Sequence, residues 1–354
     1  MKSPVSKSAI LTLLLVVVSA WPARGLSFAL DSIAEWGKFP RFCVNTYRWG
    51  DKFFNGYDTA YVEGTGYKFN GKVRTDSWFD FYSFKLPGDV NMHLRTDPST
   101  SIGPYLTYMA VSLGYDVNMS KLFGGSNMSK SRFKFGFDCS LLSVELYWMS
   151  NDIGTKITHF GIGDQGADVG IDFDGINNES WGLDLYYYFN HKKYSQAAAF
   201  NFSRIQKRSQ GSFYAGISIY HQQYDFDFSS LPPRMLEYLP ETWDGHRYYI
   251  SGTNYAIRGG YGYNWVFHPN WLLAVSESPI IGIRKGVINK SEDKVSLSIF
   301  NKFKMSLVWN SPNRRWFVGT MGSIDLALVN ENQTTFASAV FSIEAAVGFR
   351  FNLW

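Results

Sequence analysis

The sequence predicts an all-β fold: a transmembrane antiparallel β-barrel of about twelve strands, within a range of ten to fourteen. Three observations predict it. First, long stretches alternate apolar and polar residues with a period of two, the spacing that sends successive side chains to opposite faces of a strand. The longest, Phe336 to Trp354, sets Ala337, Ala339, Phe341, Ile343, Ala345, Val347, Phe349, Phe351 and Leu353 against a row containing Ser338, Ser342, Glu344, Gly348, Arg350 and Asn352. It far exceeds the ~5–6 residues usual in soluble sheets, and its Glu344 and Arg350 suit a wet lumen rather than lipid. Second, 22 Tyr, 29 Phe, 12 Trp and 32 Gly in 354 residues favour strands, bends and aromatic girdles over helices. Third, no apolar run after the N-terminus is long enough for a spanning helix, and a closed barrel is the other structure that satisfies its backbone in lipid.

The first residues have the makings of a signal peptide. Lys2 and Lys7 precede the apolar run Ala9 to Val18, and Val18-Ser19-Ala20 offers small residues for cleavage. The expected organisation is a signal peptide over 1–20 (cleavage after 25 is the alternative), a periplasmic lead-in over 21–60 and the barrel over 61–354. Lys2 and Lys7 are two of the 34 basic residues, and the others come close to balancing the 30 acidic ones, so nothing points to nucleic acid. Cys43 and Cys139 read as two free or buried thiols rather than a disulfide, and two cysteines alone make no metal site.

Taken in order, Gly64 to Thr75 and Trp78 to Leu86 read as a first hairpin, and Pro87 to Pro98 as turn-rich. Ser101 to Met119 reads as one long strand with Tyr105, Thr107, Met109, Val111, Leu113, Tyr115 and Val117 toward lipid. Arg132 to Met149 changes phase near Leu141-Leu142, which a bulge explains. Asn151 to Glu179 is irregular, with room for an extra short hairpin. Trp181 to Phe189, Gln196 to Arg204, Phe213 to His221, Tyr248 to Phe267, Trp271 to Arg284, Lys294 to Asn310, Trp316 to Leu328 and the terminal stretch complete the strands. Tight turns at His268 to Asn270 and Ser311 to Asn313 fall on the periplasmic side when counted back from a periplasmic C-terminus. The longer Tyr224 to Arg247 and Gly286 to Glu292 loops fall outside, as barrels require; Asn330 to Gln333 is short yet external.

The inward rows carry Arg132, Lys134, Asp138, Glu145, Asp184, Arg258, Lys302, Lys304, Glu344 and Arg350. Mixed signs predict an internal ion network that fills or narrows the lumen; a selective pore lined by the same charges is the other reading. Gly348, Phe351, Leu353 and Trp354 have the spacing of a terminal strand that delivers barrels to the assembly machinery. His221 and Ser251 share the outward row of consecutive strands, the minimal nucleophile–base pair of a hydrolase working at the barrel wall. No G-x-S-x-G surrounds Ser251. Asp164, Asp168, Asp172 and Asp174 do not match the order of a calcium loop, so no metal or cofactor is expected. The aromatics of Tyr224 to Arg247 either stack on an external partner or fold inward as a plug.

Four segments carry a family resemblance: Lys121 to Gly125, Gly182 to Phe189, Tyr194 to Phe200 and Gln206 to Ser212, with Phe226-Asp227-Phe228 to Pro232 beside them. On these the chain resembles a family of unknown function from Bacteroides-type bacteria, domain of unknown function 4421, from about Tyr61 to the end. The resemblance implies an exported outer-membrane protein and brings no activity or catalytic residue. The expectation is an outer-membrane protein in contact with outer-membrane lipid, monomeric, of structural, binding or pore-like role. A wall-borne lipid hydrolase and a soluble periplasmic β-protein are the alternatives.

Overall fold

The computed structural model describes residues 53–352 except 109–110, 120–128, 153, 164–165, 174–175, 242, 289–290 and 332–333. The expected signal peptide, most of the lead-in, Cys43, Leu353 and Trp354 lie outside the described residues. In chain order the strands are β1 (Val62–Gly64), β2 (Phe69–Leu86), β3 (Val90–Thr96), β4 (Ser99–Tyr108), β5 (Val111–Asn118) and β6 (Ser129–Asp138). Then come β7 (Leu142–Asp152), β8 (Thr155–Ile162), β9 (Ala167–Phe173), β10 (Ile176–Tyr188), β11 (Arg204–Gln206) and β12 (Gln210–Asp227). The last are β13 (Arg247–His268), β14 (Trp271–Ile288), β15 (Ser291–Asn310), β16 (Trp316–Glu331) and β17 (Thr334–Phe351).

Twelve of these close into an antiparallel ring, β2-β4-β5-β6-β7-β10-β12-β13-β14-β15-β16-β17, sealed by β17 on β2 from Phe351↔Phe69 to Thr335↔Lys85. The alternation read from sequence decides which face each residue takes. Ile343 and Val347 of β17 are 71% and 54% exposed on the outer wall, whereas Glu344 and Arg350 turn inward and are buried. Phe213, Ile257, Ile281 and Val295 are exposed in the same outer band. An apolar belt of this extent needs lipid against it, and closure leaves no wall strand with an unpaired edge. At one rim the rings run on from strand to strand: Trp316 on Phe349 at 4.6 Å, Phe351 on Phe69 at 5.3 Å and Phe69 on Tyr108 at 4.8 Å. That is the interfacial girdle of a membrane barrel. No described helix is long and apolar enough to cross a membrane.

Four strand readings are corrected, three of them along the wall and the fourth at the turn end. Phe69–Leu86 is one strand, not a hairpin, because Asp76 and Ser77 continue the alternation without a turn. Residues 101–119 are two strands, β4 and β5, and the fold inverts the expected facing of the first: Tyr105 is buried inward and Leu106 is exposed. The phase change at Leu141-Leu142 is the β6–β7 turn rather than a bulge. There the Cys139 thiol is buried and free, with Sγ donating to the Leu142 carbonyl at 3.1 Å.

The two ends of the barrel differ, and both are filled. At the loop end, β2 leaves β4 beyond Trp78 and pairs with β3, β3 pairs with β8, and β8 pairs with β9. This flap carries an apolar core of Tyr82, Phe84, Met92, Leu94, Ile157 and Phe173 against Tyr224, Phe226, Phe228, Trp243, Tyr248 and Phe336. The aromatics of the Tyr224–Arg247 stretch therefore fold inward, apart from the exposed Tyr238 and His246. β2 and β12 stand on opposite sides of the ring, yet Phe84 meets Phe226 at 5.1 Å and Tyr82 meets Tyr224 at 6.1 Å. Rings thus close the bore from wall to wall.

At the turn end, the connection from β10 to β12 folds back into the bore. Gln196 to Arg204 is not a strand: Ala197–Asn201 is a π-helical turn, and β11 pairs with β1 outside the ring. Three small alanines allow that turn to fit against the wall, where Ala198, Ala199 and Phe202 pack on Leu272, Ala274, Val308, Phe317 and Ala346. Asn70 donates to the carbonyls of Asn201 and Phe202 (both 3.4 Å), Ser306 to that of Ala199 (2.7 Å) and Asn264 to that of Ser195 (3.0 Å). A loop buried in this way needs its polar backbone satisfied, and wall side chains supply the partners.

Candidate functional site

Between cap and plug lies a charged chamber. Its charges come from the inward rows of the wall strands, so the face that each takes follows from the alternation. Arg258 of β13 pairs with Asp184 of β10 at 2.8 Å, both nearly wholly buried, and also donates to the Tyr186 hydroxyl. Lys134 of β6 pairs with Glu145 of β7 at 2.8 Å, and Lys302 of β15 with Asp325 of β16 at 3.7 Å. Glu344 of β17 receives Arg74 of β2 at 2.9 Å, and Arg74 also binds Asp116 of β5. Asp138 takes the Ser143 hydroxyl and, at 3.0 Å, the Asn201 amide of the plug.

Two expected members of this network take other partners. Arg350 reaches no carboxylate: it donates to the Phe202 carbonyl (3.2 and 2.7 Å), the Arg314 carbonyl and Asn310 Oδ1 (both 2.7 Å), so it clamps the plug. Lys304 has no carboxylate within ion-pair distance among the described residues; its Nζ lies 5.9 Å from the Phe200 ring centre. Arg132 sits in β6, and its side chain lies outside what is described.

Lys72, Arg74, Asp116 and Asp325 were not singled out by the sequence reading. Reading Phe69–Leu86 as one strand reveals an inward row of Asn70, Lys72, Arg74 and Asp76. Splitting 101–119 likewise turns Tyr105 inward beside Asp116, to which its hydroxyl donates at 2.6 Å. Asp325 faces Lys302 in register across β15 and β16. Lys72 has no carboxylate partner among the described residues and lies over the Phe202 ring at 4.8 Å.

Of the terminal-strand residues, Gly348 faces inward where a Cβ would fall 2.0 Å from the Phe317 ring. Its small size admits the ring that packs between Phe202 and Arg350. Phe351 joins the aromatic rim.

On the outer wall the fold brings His221 and Ser251 together. Ser251 Oγ lies 3.4 Å from His221 Nε2, and His221 Nδ1 lies 3.1 Å from Thr253 Oγ1. The Trp181 ring stacks on the imidazole at 6.1 Å. Among the described residues no three metal-ligating side chains cluster.

The family profile described as Domain of unknown function (DUF4421) matches residues 56–351. The chain belongs to that family. No curated protein matches it. Among solved structures it is similar to the outer membrane protease OmpT from Escherichia coli (8% identity, TM-score 0.35, covering 80% of this chain and 96% of that one). It is also similar to the translocator domain of the autotransporter NalP from Neisseria meningitidis (8% identity, TM-score 0.35, covering 91% and 98%). A third likeness is to the outer membrane protein OprG from Pseudomonas aeruginosa (14% identity, TM-score 0.28, covering 81% and 100%).

Proposed function

We propose that this DUF4421 protein is a bacterial outer-membrane barrel, exported by a signal peptide, whose bore is shut and which serves as a structural or binding protein rather than an open pore. One observation carries the reading: rings from opposite walls meet in the loop-end cap, while the Ala197–Asn201 plug fills the other end. The pairing of the inward charges supports it, because a buried ion pair holds a fixed geometry and offers little to a passing ion. On this reading the barrel is a monomer that contacts outer-membrane lipid through its apolar band and reaches the barrel-assembly machinery through its last strand. In planar bilayers the purified protein is expected to give no steady conductance, and Lys302→Gln with Lys304→Gln to give none either. A stable open channel in the wild type would sink the closed-bore reading.

A wall-borne lipid hydrolase is the second reading, favoured by the Ser251–His221 approach. If Nδ1–H donates to Thr253, Nε2 is left as the lone pair facing the serine hydroxyl. Ser251 Oγ then attacks an acyl-ester carbonyl, its proton passes to Nε2 and on to the departing alcohol, and water releases the acyl group. A threonine holds the place that a carboxylate occupies in the usual triad, so the imidazolium gains less stabilisation. Purified wild type that cleaves no phospholipid ester ends this reading; cleavage lost in Ser251→Ala sustains it.

A further inference from the structure

Among the described residues the ion pairs leave two lysines of the inward rows without a carboxylate. Lys72 of β2 and Lys304 of β15 line one cavity of about 90 Å³ directly behind the plug. That is room for several waters or one small oxyanion. Six cations line this cavity against three carboxylates: Asp138, Glu145 and Glu344. Glu145 is taken by Lys134 and Glu344 by Arg74, while Asp138 is held by the neutral donors Ser143 and Asn201. Neither Lys72 nor Lys304 has an acidic partner among the described residues. Each ammonium instead lies against an aromatic ring of the plug, Lys72 at Phe202 and Lys304 at Phe200.

An ammonium in a confined chamber is costly without a counter-charge. A ring quadrupole returns about 0.5–2 kcal/mol of that. We propose that the chamber is a binding site for a small oxyanion of the phosphate class, held between the Lys72 and Lys304 ammoniums beneath the plug. On the same lining the Gln196 amide, whose Oε1 accepts from the Tyr194 hydroxyl at 2.7 Å, offers its N–H groups to the remaining oxygens. The phenyl rings of the plug separate this site from the turn end, so the ligand exchanges when the plug loosens.

The proposal rests on the closed bore, and the two fail separately: conductance tests closure, whereas retained anion tests the site. The full chain is refolded into detergent with inorganic phosphate present, which removes access as an obstacle, and bound phosphate is read by equilibrium dialysis and phosphorus NMR. Wild type is expected to bind phosphate, acetate more weakly, and chloride at least tenfold more weakly. Lys72→Met with Lys304→Met is expected to lose at least tenfold in phosphate affinity. The same variant should unfold at a higher temperature than wild type in phosphate-free buffer, since it sheds two uncompensated charges; that readout shows that it folds. Asp138→Asn should tighten phosphate binding by removing a competing charge. No phosphate bound by refolded wild type, equal binding of chloride, or unchanged affinity in the double variant would each overturn the site.

Discussion

Arg258 and Asp184 are each almost wholly buried and bind each other across the wall. Removing one partner strands the other charge, at a cost of about 3–5 kcal/mol, whereas removing both costs much less. Arg258→Met is therefore expected to lower the midpoint of chemical unfolding in detergent sharply, and Asp184→Asn added to it to restore most of the loss. A double-mutant cycle with no coupling would show that the two residues do not act as a pair. The sign of this effect was legible in the alternation, which put both residues inward. The identity of the partner was not, because pairing depends on which inward rows become neighbours round the ring.

The element that sequence reading missed is the plug. Tyr194 to Arg204 holds enough apolar residues to pass for a strand, yet it packs inside the wall because Ala197, Ala198 and Ala199 let the backbone come close. Its interior partners are wall residues distant in sequence, such as Asn70, Ser306 and Arg350, and no local pattern reports them. The strand count of twelve was still recovered, since one strand read as two and a plug read as a strand offset two hairpins each read as single strands.

Outside the ring the plug is tied down by β1, where Glu63 meets Arg314 at 2.8 Å and Lys207 at 3.6 Å. The Arg314 hydrogen bond holds the Glu63 carboxyl below its ordinary value of 4.5, despite some opposing burial. A lowered folded value means that this tie is intact above the ordinary value and is lost as pH falls through the folded one. For so exposed a pair it is worth at most about 1 kcal/mol. Limited proteolysis between 189 and 209 is therefore expected to quicken slightly below pH 4.5, and the acid dependence to shrink in Glu63→Gln. An identical acid dependence in that variant would remove Glu63 from the account.

For the whole molecule, cap and plug are two seals in series along one bore, so opening either alone leaves the path shut. Phe226→Ala takes a ring from the cap at a cost of about 3–5 kcal/mol. Alone it is expected to give no conductance, as is replacement of 197–201 by Gly and Ser. Combined, they are expected to conduct. Conductance from either single change would mean that the other end was never closed. The sequence made the wall legible because lipid on one side and solvated groups on the other impose a strict period on every strand. It left the cap illegible because Tyr82, Phe84, Met92, Leu94, Tyr224 and Phe226 keep the same period of two as the wall, and nothing local says that these apolar rows face the bore.

The seam between β2 and β17 joins the first and last strands of the wall, and β2 also feeds the flap that roofs the loop end. Halted synthesis anywhere before Thr334 thus yields a sheet with two raw margins, one of them long and ready to zip onto any neighbour. Such a stump has no partial success available: it neither holds back water nor roofs itself. The final strand therefore acts as a proofreader: a chain either closes its wall with it or has no wall to work with.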